Sequence, residues 1–166
     1  MPKVKLLAMR CLTLSLIALA ALVAGLPALA AAESPARAKI IKVLPTYIDL
    51  KGRHALSPSL YERDAYQALL RKEKQRVSGM RFDIQWKASS TTADKLALRL
   101  ELRVSNASGS KLVALEQEVS PKKNGSRWSR IVLDGEKYRQ ASDVIAWRVT
   151  ILEGDQKVAE RTSFLW

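Results

Sequence analysis

The chain has 166 residues, with 28 Lys and Arg, 16 Asp and Glu, one His and one Cys, and a net charge of +12. Its first 32 residues contain three of the basic residues, none of the acidic ones and Cys11, so the other 134 residues keep a net charge of +9. A chain that has no thiol and only His54 as an imidazole cannot form a Cys–His nucleophile, a closed Cys/His zinc site or a disulfide. We therefore expect no cofactor and no metal.

The N-terminal segment has the pattern of an export signal. Basic residues precede an uncharged apolar stretch over residues 12–26, Pro27 ends that stretch, and small residues follow. These features predict a signal peptide over residues 1–30, with cleavage after Ala30 or Ala32. An uncleaved membrane anchor of this length is the alternative, but Pro27 argues against it. The expected location is periplasmic or secreted, with no integral membrane span after cleavage.

Residues 31–38 are small and polar and predict a flexible lead-in to a single domain over residues 39–166. Lys39 to Leu50 is apolar and β-branched, which favours a strand. Pro45 cannot donate to a sheet ladder, so this strand should lie at an edge and break or change partner there.

One helix is predicted near residues 58–76. Ser57 can cap its first turn, Pro58 suits the first helical position, and Gly79 should end it. The predicted apolar stripe consists of Tyr61, Ala65, Ala68 and Leu69.

After Gly79 the apolar residues recur at every second position, which indicates half-buried strands. The predicted strands cover residues 80–88, 96–104, 111–119, 128–133, 144–152 and 158–166, the last two joined by a turn at Gly154-Asp155. With the first strand this makes about seven. Without a repeated strand–helix alternation, the pattern favours an immunoglobulin- or fibronectin-like antiparallel β-sandwich with one accessory helix.

The alternation also predicts which side chains are buried. The expected core residues are Phe82, Ile84, Trp86, Leu98, Leu100, Trp147 and Val149, and the expected outward-facing residues are Arg81, Asp83, Arg99, Glu101 and Arg148. Trp128 is also expected in the core. Phe164 and Trp166 are two residues apart, so we expect both rings inside, with a role for Trp166 as an exposed recognition tag as the alternative.

Candidate catalytic groups are few. The carboxylate pairs are Glu62 with Asp64, Glu116 with Glu118, Asp134 with Glu136, and Glu153 with Asp155. Such pairs could act in glycoside hydrolysis, but they are common on solvated surfaces. His54 lies close to Lys51 and Arg53, whose charges oppose its protonated form. We therefore expect no enzyme and no catalytic residues.

The densest basic clusters suggest an anion-binding surface. Its candidate residues are Arg71, Lys72, Lys74, Arg76, Lys122, Lys123, Arg127 and Arg130. The Ala-rich leader is typical of a bacterial protein. In an exported bacterial protein, the expected partner is an anionic glycan or lipid, or another envelope protein, rather than nucleic acid. The alternative is that the charge only keeps the domain soluble.

Three segments, LSPSLYERDAYQALLR, GMRFDIQWKA and AWRVTILEGDQKVAERTSFLW, resemble an uncharacterised family of small exported bacterial proteins with an immunoglobulin-like β-sandwich. The resemblance covers Lys39 to Trp166 and implies no activity or ligand. Residues and resemblance together predict a non-enzymatic binding or structural module of the bacterial cell envelope. The alternatives are an outer-membrane-associated protein or small β-barrel and, third, an envelope hydrolase that uses paired carboxylates.

Overall fold

The computed structural model describes residues 38–88, 94–106, 109–122, 125–141 and 143–166, so the predicted signal peptide and most of the lead-in lie outside the described residues. The strands are β1 (Ala38–Asp49), β2 (Val77–Ala88), β3 (Leu96–Asn106), β4 (Gly109–Val119), β5 (Arg127–Asp134), β6 (Asp143–Glu153) and β7 (Gln156–Thr162). The helices are α1 (Leu60–Lys72), a 3₁₀ turn (Lys74–Arg76) and α2 (Gly135–Ala141).

The fold is mainly β, as the alternation predicts. A three-stranded antiparallel sheet has the order β1-β2-β5, and a four-stranded antiparallel sheet has the order β4-β3-β6-β7. Buried residues from both sheets, such as Phe82 in β2 and Leu100 in β3, belong to one hydrophobic cluster. The apolar face of each sheet therefore contributes to the same core.

The strands β2 and β3 confirm the predicted period of two. Every second residue from Met80 to Ala88 is buried, and so is every second residue from Leu96 to Val104. Trp86 is fully enclosed and its indole Nε1 donates to Ser129 Oγ at 2.9 Å, so the one polar atom of the ring has a partner. Six of the seven predicted core residues are buried, and Trp147 lies half-buried against the core.

Trp128 is not in the core. Its side chain is 52% exposed, because the neighbouring Ser129 turns inward to accept the hydrogen bond from Trp86. Successive side chains of a strand point to opposite faces, so Trp128 must point outward.

The predicted helix start and apolar stripe are both wrong. Ser59, not Ser57, caps α1, and its side chain accepts from the Glu62 amide at 3.5 Å. Tyr61 is 84% exposed, whereas Leu70 is buried and Tyr66 and Gln67 are half-buried. The inward face of α1 is largely polar because it binds β1 through hydrogen bonds, as described below.

Two breaks that the sequence predicts, at Pro45 in β1 and at Gly79 after the helix, do not occur. The edge strand β1 runs through Pro45, which lies opposite Phe82, and its register shifts fall between Ile40 and Lys42 and between Ile48 and Asp49. Gly79 does not end the helix but lies within β2, where an added Cβ would be 2.6 Å from the Leu133 carbonyl oxygen. Only a glycine allows this close approach of β5.

The C-terminal segment differs most from the prediction. The last strand ends at Thr162, and Phe164 is 100% exposed rather than buried. Trp166 lies instead against Arg103 and Arg148, whose guanidinium carbons are 5.2 and 4.6 Å from its ring centroid. The short helix α2, which begins at Gly135, is not among the predicted elements.

Candidate functional site

A groove lies between α1 and the outer face of the three-stranded sheet, and we call it the helix–sheet groove. Its volume is about 550 Å³. The sheet supplies its floor, which consists of Leu44, Pro45, Thr46, Arg81, Asp83, Trp128 and Arg130. The helix and the loop before it supply its wall, which consists of His54, Arg63, Asp64, Gln67 and Arg71.

Arg81, Asp83 and Arg130 are the charged residues of the floor, and they form one cluster on β2 and β5. Leu44, Asp83 and Arg130 lie opposite one another on β1, β2 and β5. Asp83 accepts from Arg81 Nε at 2.7 Å and from Arg130 Nε at 3.3 Å. One carboxylate therefore balances two guanidinium groups, and this cluster keeps a positive charge.

Gln67 fixes the helix against the edge of β1. Its side-chain oxygen accepts from the Tyr47 amide at 2.7 Å, and its Nε2 donates to the Tyr47 carbonyl at 2.9 Å. The same Nε2 donates to the His54 carbonyl at 2.8 Å. Gln67 thus takes the place of a neighbouring strand residue, satisfies the exposed edge and sets the position of the groove wall.

Asp49 anchors the other end of this wall. It is 5% exposed and accepts hydrogen bonds from Tyr66 Oη at 2.6 Å, the Arg53 amide at 2.7 Å and the Lys51 amide at 2.9 Å. Arg53 Nε also donates to it at 2.8 Å. Burial by itself favours the neutral acid, but the hydrogen bonds from Tyr66 and Arg53 outweigh burial and hold the pKa of Asp49 well below its usual range. The charged carboxylate ties the loop that carries His54 to both β1 and α1.

His54 contributes a neutral imidazole to the groove. Burial and the nearby charge of Arg81 lower the pKa of His54 below its ordinary value. Because the guanidinium can only donate, the 3.2 Å contact between Arg81 Nη1 and His54 Nδ1 makes that nitrogen an acceptor. The other ring nitrogen, Nε2, then carries the hydrogen and is a donor.

The lining of the groove carries more positive than negative charge. Four arginines and two aspartates face it, which gives a net charge of +2 with His54 neutral. Arg63 is close to Asp64, at 3.3 Å, whereas Arg71 forms no hydrogen bond or ion pair with any described residue. A guanidinium without a described partner and an exposed indole that line one groove can bind an oxyanion and a ring of the same ligand.

The structure brings two of the predicted anion-binding residues together and disperses the others. Arg71 and Arg130 come from different sequence clusters but line the same groove. The remaining residues do not line the groove. Three of them have partners elsewhere: Lys74 pairs with Asp143 at 2.9 Å, Arg76 pairs with Glu73 at 2.5 Å, and Arg127 donates to the Ser120 carbonyl. Lys72 and Lys122 are exposed, and Lys123 lies outside the described residues.

Sequence reasoning missed Arg63, Arg81 and His54 as groove residues, and it placed Trp128 in the core. Arg81 could have been found, because it lies on the predicted outward face of its strand beside Asp83. Trp128 gave no such signal, since the short apolar run of β5 allows either phase.

The candidate carboxylate pairs lie apart from this groove, except for Asp64. Glu116 pairs with Arg99 at 2.9 Å and Glu118 with Lys95 at 2.5 Å, on exposed parts of β3, β4 and the segment before β3. Glu136 pairs with Arg139 at 2.7 Å on α2. Within the described ranges, no three His, Cys, Asp or Glu residues are grouped so that they could hold a metal ion.

No family model, curated protein or solved structure matches this chain. In the part of the chain that the structure describes, none of the helices is long and apolar enough to cross a bilayer.

Proposed function

We propose that this protein is an exported, non-enzymatic binding module of the bacterial cell envelope, and that it binds an anionic ligand in the helix–sheet groove. The single observation that carries this proposal is the guanidinium of Arg71, which has no partner among the described residues and lines the same groove as Arg130 and the exposed ring of Trp128. An arginine with no partner of its own offers its full donor fork to a carboxylate or phosphate.

We further propose that the fold is an immunoglobulin- or fibronectin-like β-sandwich. The division into β1-β2-β5 and β4-β3-β6-β7, with one cluster of buried residues from both sheets, supports this type. In the constant-type immunoglobulin arrangement the fourth strand joins the first sheet, whereas here β4 pairs with β3. A fourth strand on the second sheet is a variant of the same seven-strand sandwich.

The chemistry of the groove favours binding over catalysis. The Nδ1 atom of His54 already accepts from Arg81, and Asp83 is held between two guanidinium groups. Neither group is therefore available as a general base. The partner chemistry that remains is an anionic glycan or lipid headgroup, or an acidic group of another envelope protein.

The proposal is tested by titration of the mature protein with inorganic phosphate, followed through backbone amide chemical shifts. We expect shifts in residues that line the groove, and we expect Arg71→Gln to weaken binding at least about tenfold, as loss of a charged hydrogen bond does. Lys72→Gln is the matched control, because it removes the same charge from the same helix outside the groove. Equal binding by both variants, or shifts scattered over the basic surface, would contradict the proposed site.

A further inference from the structure

The groove separates a ring-binding part from an anion-binding part. Trp128 and Arg130 lie two residues apart on one face of β5, and same-face neighbours on a strand are about 6.6 Å apart. Trp128 offers a half-exposed flat ring at one position, and Arg130 a guanidinium at the next. This spacing is about the size of one sugar unit that carries its charged group at one end.

The charge of the lining limits the charge of the ligand. The net +2 of the groove balances one doubly charged group. A phosphate monoester carries about −1.5 to −2 at neutral pH, whereas one carboxylate carries only −1. The lining therefore matches a single phosphate better than a single carboxylate or a long polyanion.

The remaining polar atoms of the groove suit a ligand rich in hydroxyl groups. The exposed carboxylate of Asp64 can accept from hydroxyl groups, and His54 Nε2 can donate to them. Acceptors of this kind would repel a second phosphate. A purely aromatic ligand would leave these polar atoms without hydrogen-bond partners.

We infer that the helix–sheet groove binds one phosphorylated sugar, with the sugar ring on Trp128, the phosphate on Arg71 and Arg130, and the hydroxyl groups at Asp64 and His54. This inference rests on the proposed function of the same groove and names its ligand class. Two sources have this chemistry: a free sugar phosphate, and the phosphorylated sugar of a glycolipid headgroup.

The test compares glucose 6-phosphate with inorganic phosphate and with glucose, and it follows the indole N–H signal of Trp128. That signal is assigned from its loss in Trp128→Phe. We expect glucose 6-phosphate to shift this signal and to bind about tenfold more tightly than inorganic phosphate, and glucose to bind more weakly than both. Trp128→Ala should lower the affinity for glucose 6-phosphate to that for inorganic phosphate, whereas Arg71→Gln should weaken both.

The sugar phosphate ligand and the anion site beneath it can be disproved separately. If inorganic phosphate binds as tightly as glucose 6-phosphate and the Trp128 signal does not move, the sugar is excluded while the anion site stands. If neither compound binds, the proposed function fails as well. Displacement of glucose 6-phosphate by phosphatidylcholine vesicles that contain monophosphoryl lipid A would identify the headgroup as the source. No displacement would identify the free sugar phosphate.

Discussion

Tryptophan and arginine side chains lie over the outer faces of both sheets, but their surroundings differ. On the four-stranded sheet, Trp166 lies against Arg103 and Arg148, and Arg148 donates to both oxygens of Glu101 at 2.6 and 2.9 Å. Over the three-stranded sheet, Trp128 is 52% exposed, and Arg71 on the facing helix α1 has no partner among the described residues.

The two faces therefore differ in how far their interactions are satisfied within the chain. The ring and the charges of the four-stranded sheet neutralise and cover one another, as structural groups do. The groove keeps one ring and one guanidinium uncovered. On the proposed function, Trp128 and Arg71 serve binding, whereas Trp166 and Arg148 serve stability.

The largest expected effect concerns the core on which both faces rest. Trp86→Ala should lower the free energy of unfolding by about 3–5 kcal/mol, because the substitution opens a cavity under a fully enclosed ring. Trp128→Ala is the matched control and should change stability by less than about 1 kcal/mol, since half of its side chain is exposed. Denaturant unfolding measures both, and similar losses would mean that Trp128 supports the fold.

The next effect concerns Asp49, which holds the groove wall. Asp49→Asn should lower the free energy of unfolding by about 2–3 kcal/mol near neutral pH, since it removes charged hydrogen bonds. The pKa of Asp49 is lower in the folded state than in the unfolded chain. Its stabilisation is therefore complete above the unfolded-state pKa of about 3.9 and is lost as the pH falls below that value toward the folded-state pKa.

Free energies of unfolding, measured from pH 7 down into the acid range, test the direction of this pH dependence. The parent protein should lose stability more steeply in acid than Asp49→Asn does. Tyr66→Phe, which removes only one donor to the carboxylate, should give an intermediate slope. Parallel curves for all three proteins would show that Asp49 does not carry the acid dependence.

A smaller effect is expected at the C-terminus, where the comparison can be sharpened with two neighbouring aromatic residues. Trp166→Ala should lower stability by about 1 kcal/mol through the loss of two cation–π contacts. Phe164→Ala should have no measurable effect, because its ring is fully exposed. Thermal unfolding of the two variants distinguishes these roles, and a larger loss for Phe164→Ala would restore the buried terminal strand predicted from the sequence.

The sequence predicts well where burial follows a strict period. Alternation in β2 and β3 identifies the core correctly, because each strand has one wholly apolar face and one polar face. Helix α1 is predicted poorly for the opposite reason. Its inward residues Tyr66 and Gln67 bind Asp49 and the Tyr47 backbone through hydrogen bonds, and hydrophobic periodicity cannot detect such contacts.

The groove could be predicted only in part. Arg71 and Arg130 stand out in the sequence as members of basic clusters, yet nothing in their spacing indicates that a helix wall and a sheet floor bring them together. That requires the contact of Gln67 with β1. Trp128 is exposed because Ser129, Ile131 and Leu133 face inward, and the short run of β5 does not show this phase in the sequence.

The smallest expected effect is the most direct test of the difference between the faces. Arg71→Gln should leave the free energy of unfolding within about 0.5 kcal/mol of the parent, because Arg71 has no partner among the described residues. Arg148→Gln, on the four-stranded sheet, should be measurably destabilising, since it breaks both hydrogen bonds to Glu101 and one contact with Trp166. If ligand binding is then lost in Arg71→Gln and kept in Arg148→Gln, stability and binding belong to separate arginines. A clear loss of stability in Arg71→Gln would mean that its guanidinium has a structural role, and the argument for an open binding site would lose its main support.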